Sequence, residues 1–195
     1  IGTHLNSKGG DQSLWGANQP PFLGSEAERI QLAQEINNFV DAGLAENPAL
    51  NIVVAGDMND FEFTPALETL KGGVLTNMVD LVPTEDRFSY FYQGNNQVLD
   101  HILVSNNLVP NTTVDMIHIN ANFTEAQGRA SDHDPVLVQL DLAKPAGPDL
   151  TIFHTNDTHS ALDLMPRTIT KLKELREVTP NGLLLHAGDA FTGTL

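Results

Sequence analysis

The chain has 195 residues, of which 10 are Lys or Arg and 25 are Asp or Glu, giving a formal net charge of -15, and it contains no cysteine. At 41% hydrophobic residues a chain of this size buries roughly 70% of its unfolded surface, enough for one good core; zero Cys excludes disulfides, thiolate metal sites and a cysteine nucleophile. The longest apolar runs, Ile52 to Ala55 and Leu183 to Leu185, fall far short of the roughly 18 residues a membrane span needs, and so acidic a chain has little sequence-independent grip on nucleic-acid phosphates without a mediating cation.

The opening Ile1-Gly2-Thr3-His4-Leu5 reads as the end of a strand and carries neither an initiator Met nor a signal-peptide pattern, so the natural polypeptide is expected to begin further upstream. Ser25-Glu26-Ala27-Glu28 reads as a capping box. A helix follows, with Ile30, Ala33, Ile36, Val40 and Leu44 on one stripe, and Pro48 closes it. Asn51 to Ala55 is a strand buried on both faces, ending in Gly56-Asp57-Met58-Asn59. Thr64-Pro65 starts a short helix to about Lys71. Phe88 to Tyr92 and Gln97 to Val104 flank Gly94-Asn95-Asn96 as a hairpin, and Val114 to Ile119 and Pro135 to Leu140 read as two more strands. Residues 143–149 hold two prolines and a glycine, the composition of a linker. Beyond them come a strand from Leu150 to Phe153, a helix from about Arg167 to Val178 and a strand from Gly182 to Leu185. The expected organisation is one domain over 1–142, a linker over 143–149 and the start of a second domain over 150–195.

Three clusters set polar groups beside apolar strands: Gly56-Asp57-Met58-Asn59, Leu99-Asp100-His101 and Ser131-Asp132-His133-Asp134-Pro135. In layered α/β folds such loops converge on one crevice. Asp57, Asp100 and Asp132 brought together could not all stay ionised without a compensating cation, so they predict a divalent metal, and all-oxygen ligands favour Mg²⁺, Mn²⁺ or Ca²⁺.

These blocks, with Thr3-His4-Leu5 before them and Ile102-Leu103-Val104-Ser105 completing the second, resemble in order and spacing the last four blocks of the endonuclease/exonuclease/phosphatase superfamily. The longer string Thr3 to Gly10 is most similar to its bacterial extracellular nucleases, and the resemblance spans about residues 1 to 141. It implies two packed sheets flanked by helices and in-line hydrolysis of a phosphodiester. By the same resemblance Asp57 orients or deprotonates the attacking water and Asn59 holds the phosphate. Asp132 binds Mg²⁺ or Mn²⁺, with Ca²⁺ as a third option; His133 donates to a phosphate oxygen, Asp100 orients His133, and His4 is a second phosphate contact or acid. The family's early metal ligands, an Asn and a Glu, belong upstream of the Thr-His-Leu block, a second reason to expect the polypeptide to continue before Ile1.

After the proposed linker, Thr155-Asn156-Asp157-Thr158-His159 and Ala187-Gly188-Asp189-Ala190-Phe191-Thr192-Gly193-Thr194 each follow a strand. They resemble the opening blocks of calcineurin-like metallophosphoesterases, in the 5'-nucleotidase and UDP-sugar hydrolase branch. That likeness implies Asp157, His159 and Asp189 as ligands of a two-metal centre of the Zn, Mn, Fe or Ca type in the complete domain, and a polypeptide that also continues beyond residue 195.

Other residues invite blander readings. His101, on the strand face opposite Asp100, and His118 are taken as structural. Phe88, Tyr90 and Tyr92 share a strand face and are read as packing in preference to base stacking. Lys8 and Arg129 flank the crevice and are phosphate-binding candidates. The leading expectation is a secreted or surface-bound, metal-dependent nuclease fused to a nucleotidase-type domain, acting on nucleic acid or nucleotides. The alternatives are a phospholipid, sphingomyelin or sugar-phosphate phosphoesterase of the same fold, for which Trp15 is the residue to watch, and a non-catalytic surface module.

Overall fold

The computed structural model of the protein describes residues 1–13, 16–142, 150–155, 166–179 and 182–186. In chain order the elements are β1 (Gly2–His4), α1 (Glu26–Glu46), β2 (Val53–Asp57), α2 (Pro65–Lys71), β3 (Leu75–Asn77), β4 (Tyr90–Tyr92), β5 (Asn95–Gln97), β6 (Asp100–Ser105), β7 (Thr112–Met116), β8 (Val136–Leu140), β9 (Leu150–Thr155), α3 (Pro166–Val178) and β10 (Gly182–His186), with short 3₁₀ turns between them.

Side-chain alternation along the central strands dictates the layers. On β6, Leu103 points to one side, where it meets Val54 and Leu75, the α1 residues Ala33 and Val40, and the α2 residues Ala66, Leu67 and Leu70. Its neighbours Ile102 and Val104 point the other way, into a second cluster with Ala55, Met116, Val136, Val138, Leu140 and Ile152. A strand with period-two side chains can be apolar on both faces only when each is covered. Here α1 and α2 cover one face of the first sheet, and a second sheet covers the other. The first sheet runs β1-β2-β6-β3, with β1 parallel to β2 and β6 antiparallel to both β2 and β3; the second runs β10-β9-β8-β7; β4 and β5 form a separate hairpin. Two packed sheets with helices outside is the α/β architecture expected from the sequence.

β9 and β10 pair in parallel, and β9 lies antiparallel on β8 with Phe153 opposite Leu137. Parallel pairing of consecutive strands across a helix makes β9, α3 and β10 a βαβ unit. The expected linker, 143–149, lies outside the described residues, as does Trp15.

Three local expectations are corrected. The Ser25 side chain does not cap α1: its hydroxyl donates to Asp11 Oδ2 at 2.7 Å and accepts from the Arg29 guanidinium, while Glu28 takes the Asn6 amide. A charged tertiary partner outcompetes the local cap. The hairpin turns one residue early, at Gln93-Gly94, whose φ values of 48° and 85° give the two left-handed positions of a tight two-residue turn. Gln97 therefore ends β5 and pairs with Tyr90, while β6 starts afresh at Asp100 in another sheet. Finally, β7 ends at Met116, because Ile119, Asn120 and Ala121 give their amides to the Asp134 carboxylate.

Candidate active site

Strand direction gathers the site. β1 and β2 run parallel while β6 runs against them, so the ends of β1 and β2 meet the beginning of β6: His4 is in register with Asp57, and Asp57 with Asp100. Gly56 makes the close approach of β1 feasible, since a Cβ there would stand 1.7 Å from the Thr3 carbonyl oxygen.

Past β2 the chain folds back on itself. The Asn59 amide donates to Asp57 Oδ1 at 2.7 Å, an Asx turn, and Asn59 takes the left-handed conformation, φ 49°, which Asn tolerates better than other side chains. Its side-chain Nδ2 donates to the Leu5 carbonyl at 3.0 Å and to Asp57 Oδ2 at 3.2 Å, and lies 3.3 Å from His4 Nε2. His4 Nε2 is also 3.3 Å from Asp57 Oδ2, with the His4 side chain 34% exposed and that of Asp57 buried. Asp57, Asn59 and His4 thus form one hydrogen-bonded group with its imidazole turned to solvent.

The second half of the site comes from the loop before β8. His133 Nδ1 donates to Asp100 Oδ2 at 2.6 Å. Burial alone would push the imidazole pKa down, but the Asp100 carboxylate, and beyond it Asp57 and Asp132, raise it to about 10; His133 in return holds the Asp100 pKa below its ordinary value against the opposing effect of burial. His133 is therefore an imidazolium at neutral pH, and the fields of Asp57 and Asp132 reach it, so the three residues share one electrostatic environment.

The sequence missed the groups that hold this arrangement. Ser89 Oγ accepts the amides of Leu99 and Asp100, both at 3.1 Å, and its carbonyl accepts the Asp134 amide at 2.7 Å. Asn120 Nδ2 donates to the His133 carbonyl at 2.8 Å. His118, two residues past the end of β7 and so outside the strand in which it was expected, bridges Asp134 at 2.9 Å and Asp86 at 3.1 Å and stacks on Phe88. His101, buried, lies 2.9 Å from the Asp60 carbonyl and 3.0 Å from Asn77 Nδ2, bracing the backbone just beyond Asn59. The readable signal was Ser89, a polar residue inside an aromatic run; nothing local marked Asn120.

Among the described residues, no three His, Asp or Glu side chains are spaced to close on one ion. The geometry differs from the expectation that Asp57, Asp100 and Asp132 would share a cation: Asp100 is committed to His133 and Asp57 to Asn59. Asp132 keeps a buried Oδ1 with no hydrogen-bond partner. Lys8 Nζ sits 3.7 Å over the Phe61 ring and 3.9 Å from Asp60 Oδ1, and Arg129 is partly exposed two residues before Ser131. Asp157, His159 and Asp189 lie outside the described residues.

Residues 14–127 match the model of the Endonuclease/Exonuclease/phosphatase family. The chain belongs to that family. Its members are hydrolases of phosphoester bonds. An Endonuclease/Exonuclease/phosphatase fold is also what the solved structures show: truncated Caenorhabditis elegans TDP2 superposes with a TM-score of 0.51 at 14% identity, over 71% of this chain and 53% of that one. A short segment of the chain is similar to nucleotide phosphoesterases, which fits the motifs after residue 150. It is 53% identical over 47 residues to the trifunctional nucleotide phosphoesterase protein YfkN of Bacillus subtilis, covering 24% of this chain and 3% of that protein. The 5'-nucleotidase of Homo sapiens is 38% identical over 64 residues, covering 24% of this chain and 11% of that protein. The chain thus spans only a small fraction of the curated relatives it matches.

Proposed function

We propose that the protein is a metal-dependent phosphodiesterase that cuts nucleic acid. The observation that carries this reading is the convergence, at one end of the first sheet, of the Asp57–Asn59–His4 group and the His133–Asp100 pair. Asp57 positions a water for in-line attack on phosphorus and takes its proton. Asn59 and His4 fix the Asp57 carboxylate and offer donors to the phosphate. His133, charged and held through Nδ1, stabilises the negative charge that builds on the phosphoryl oxygens, and Asp100 keeps its ring in that orientation.

A hard divalent ion suits the donor chemistry, because Asp132 presents a buried carboxylate oxygen without a partner. Asp132 would hold such an ion, Mg²⁺ or Mn²⁺, which when bound supplies Lewis-acid charge to the phosphate. The proposal extends to the polypeptide as a whole: a nuclease domain ending near residue 142, followed by a 5'-nucleotidase-type domain with Asp157, His159 and Asp189 among its metal ligands, working outside the cell. The motif likenesses before and after residue 150 support that extension, and the two activities would act in order on one polymer.

The test is hydrolysis of single-stranded DNA, duplex DNA and RNA by the full-length polypeptide with Mg²⁺ or Mn²⁺, set beside the same polypeptide carrying Asp57→Ala. Cleavage slowed by about 10³-fold in the variant is expected. Intact substrates with both proteins, or equal rates, would sink the proposal.

A further inference from the structure

The aromatic run from Phe88 into β4 divides its work. Phe88 is buried against His118. Tyr90 instead lays its ring 4.7 Å from the His133 imidazole, and Tyr92 stacks on Tyr90 with centroids 6.2 Å apart and planes only 13° from parallel. Tyr92 is 51% exposed and its neighbour Phe91 47%. A strip of ring faces therefore leads from the charged imidazole out to solvent.

The strip is fixed in place. Tyr92 pairs with Asn95 across the hairpin, the Gln93-Gly94 turn closes it, and the Tyr92 hydroxyl accepts from Gln93 Nε2 at 3.2 Å. Tyr90 is bridged by backbone to His133 itself. A platform held this firmly loses little freedom when a flat ring settles on it. The shape of the strip narrows the occupant: near-parallel, half-exposed ring faces offer a neutral π-surface on which any nucleobase can stack.

Building on the phosphodiesterase reading above, we propose that Tyr92, backed by Tyr90, is a base-stacking subsite for a nucleobase flanking the phosphate at His133. The subsite confers preference for base-bearing phosphodiesters over those of lipids or sugars, and Tyr92 acts as a specificity residue with no part in bond breaking.

The experiment measures binding, in metal-free buffer so that cleavage does not intrude, of the full chain to a short oligothymidylate and to an abasic oligonucleotide of equal length and charge. The wild type is expected to bind the thymine strand about tenfold more tightly, Tyr92→Ala to bind both strands alike, and Tyr92→Phe to restore the preference. Equal affinity of the wild type for the two strands, or equal weakening of both by Tyr92→Ala, overturns the subsite. So does Tyr92-dependent sedimentation with sphingomyelin vesicles in the absence of a base preference. A base preference that depends on Tyr92 in a protein that cuts no phosphodiester would leave the subsite standing and remove the catalytic reading, so the two failures are distinguishable.

Discussion

His133 Nδ1 and Asp100 Oδ2 lie 2.6 Å apart with both side chains almost wholly buried, the imidazole 6% exposed. A charge pair so deeply withdrawn from water is unequal in its two directions: kept whole it adds modestly to stability, but removal of one partner strands the other. Folding raises the His133 pKa from 6.5 to about 10. Its contribution to stability is therefore complete below pH 6.5 and is lost progressively as pH climbs toward 10. Asp100→Asn is expected to cost about 3 kcal/mol at pH 6. Urea midpoints of wild type and variant across pH 6 to 10.5 check this: the gap should narrow over the alkaline half of the range, and a constant gap would contradict the pairing.

Asn59 combines a conformational role with a chemical one, and two substitutions separate them. At φ 49° a glycine is at ease, whereas an alanine is strained by about 1 kcal/mol. Asn59→Gly keeps the backbone turn but deletes the amide that bonds Asp57 and the Leu5 carbonyl. We expect Asn59→Gly to stay within about 1 kcal/mol of wild type in stability, relief of strain offsetting a lost hydrogen bond, while kcat falls about 10²-fold. Asn59→Ala should lose as much activity and more stability. Denaturation and steady-state rates measured on both variants decide it, and unchanged kcat in Asn59→Gly would show the amide to be structural.

The parts of this site that could be read from the sequence are those in which chemistry and chain geometry coincide. Asp57 and Asn59 stand where a buried strand ends, two residues apart, the spacing of an Asx turn. The stripe on α1 was equally plain, and Ala33 and Val40 are buried where the period put them. What could not be read depended on residues distant in the chain. Ser25 looks like a cap until Asp11 and Arg29 claim its hydroxyl, and Gln93 is no turn residue by preference, so its left-handed φ had no local signal. Asp134 gives its Oδ1 to three backbone amides from 119–121, contacts that only the folded loop creates.

Lys8 gives a second pH-dependent signature, of opposite sign. Burial, opposed chiefly by Asp60, lowers its pKa from 10.5 to about 8. With the folded value below the unfolded one, the charged lysine works against the fold at pH 7, and that penalty disappears as pH rises from 8 to 10.5. Lys8→Met, which keeps the packing on Phe61, is expected to have a higher urea midpoint than wild type at pH 7, with the advantage shrinking by pH 10.5. If Lys8 also touches the phosphate, KM of the wild type for an oligonucleotide rises through pH 8 and that of the variant is high and flat. A variant less stable than wild type at pH 7 would show that the pairing with Asp60 outweighs the cost of burial.

Asp132 separates a metal site from a merely acidic one. Its Oδ1 is buried without a hydrogen-bond partner, and a carboxylate in that state is costly to the fold unless a cation or proton meets it. In metal-free buffer Asp132→Asn should therefore unfold at the same temperature as wild type or a few degrees higher. Addition of Mn²⁺ or Mg²⁺ reverses the order, because a ligand that binds only the folded state raises its stability with concentration. The wild-type Tm should climb with millimolar metal, while the variant responds weakly; a calorimetric titration should show the same loss of binding. Equal metal-induced shifts in the two proteins would mean that the ion, if bound, is held elsewhere, and would leave the buried Oδ1 of Asp132 needing another partner.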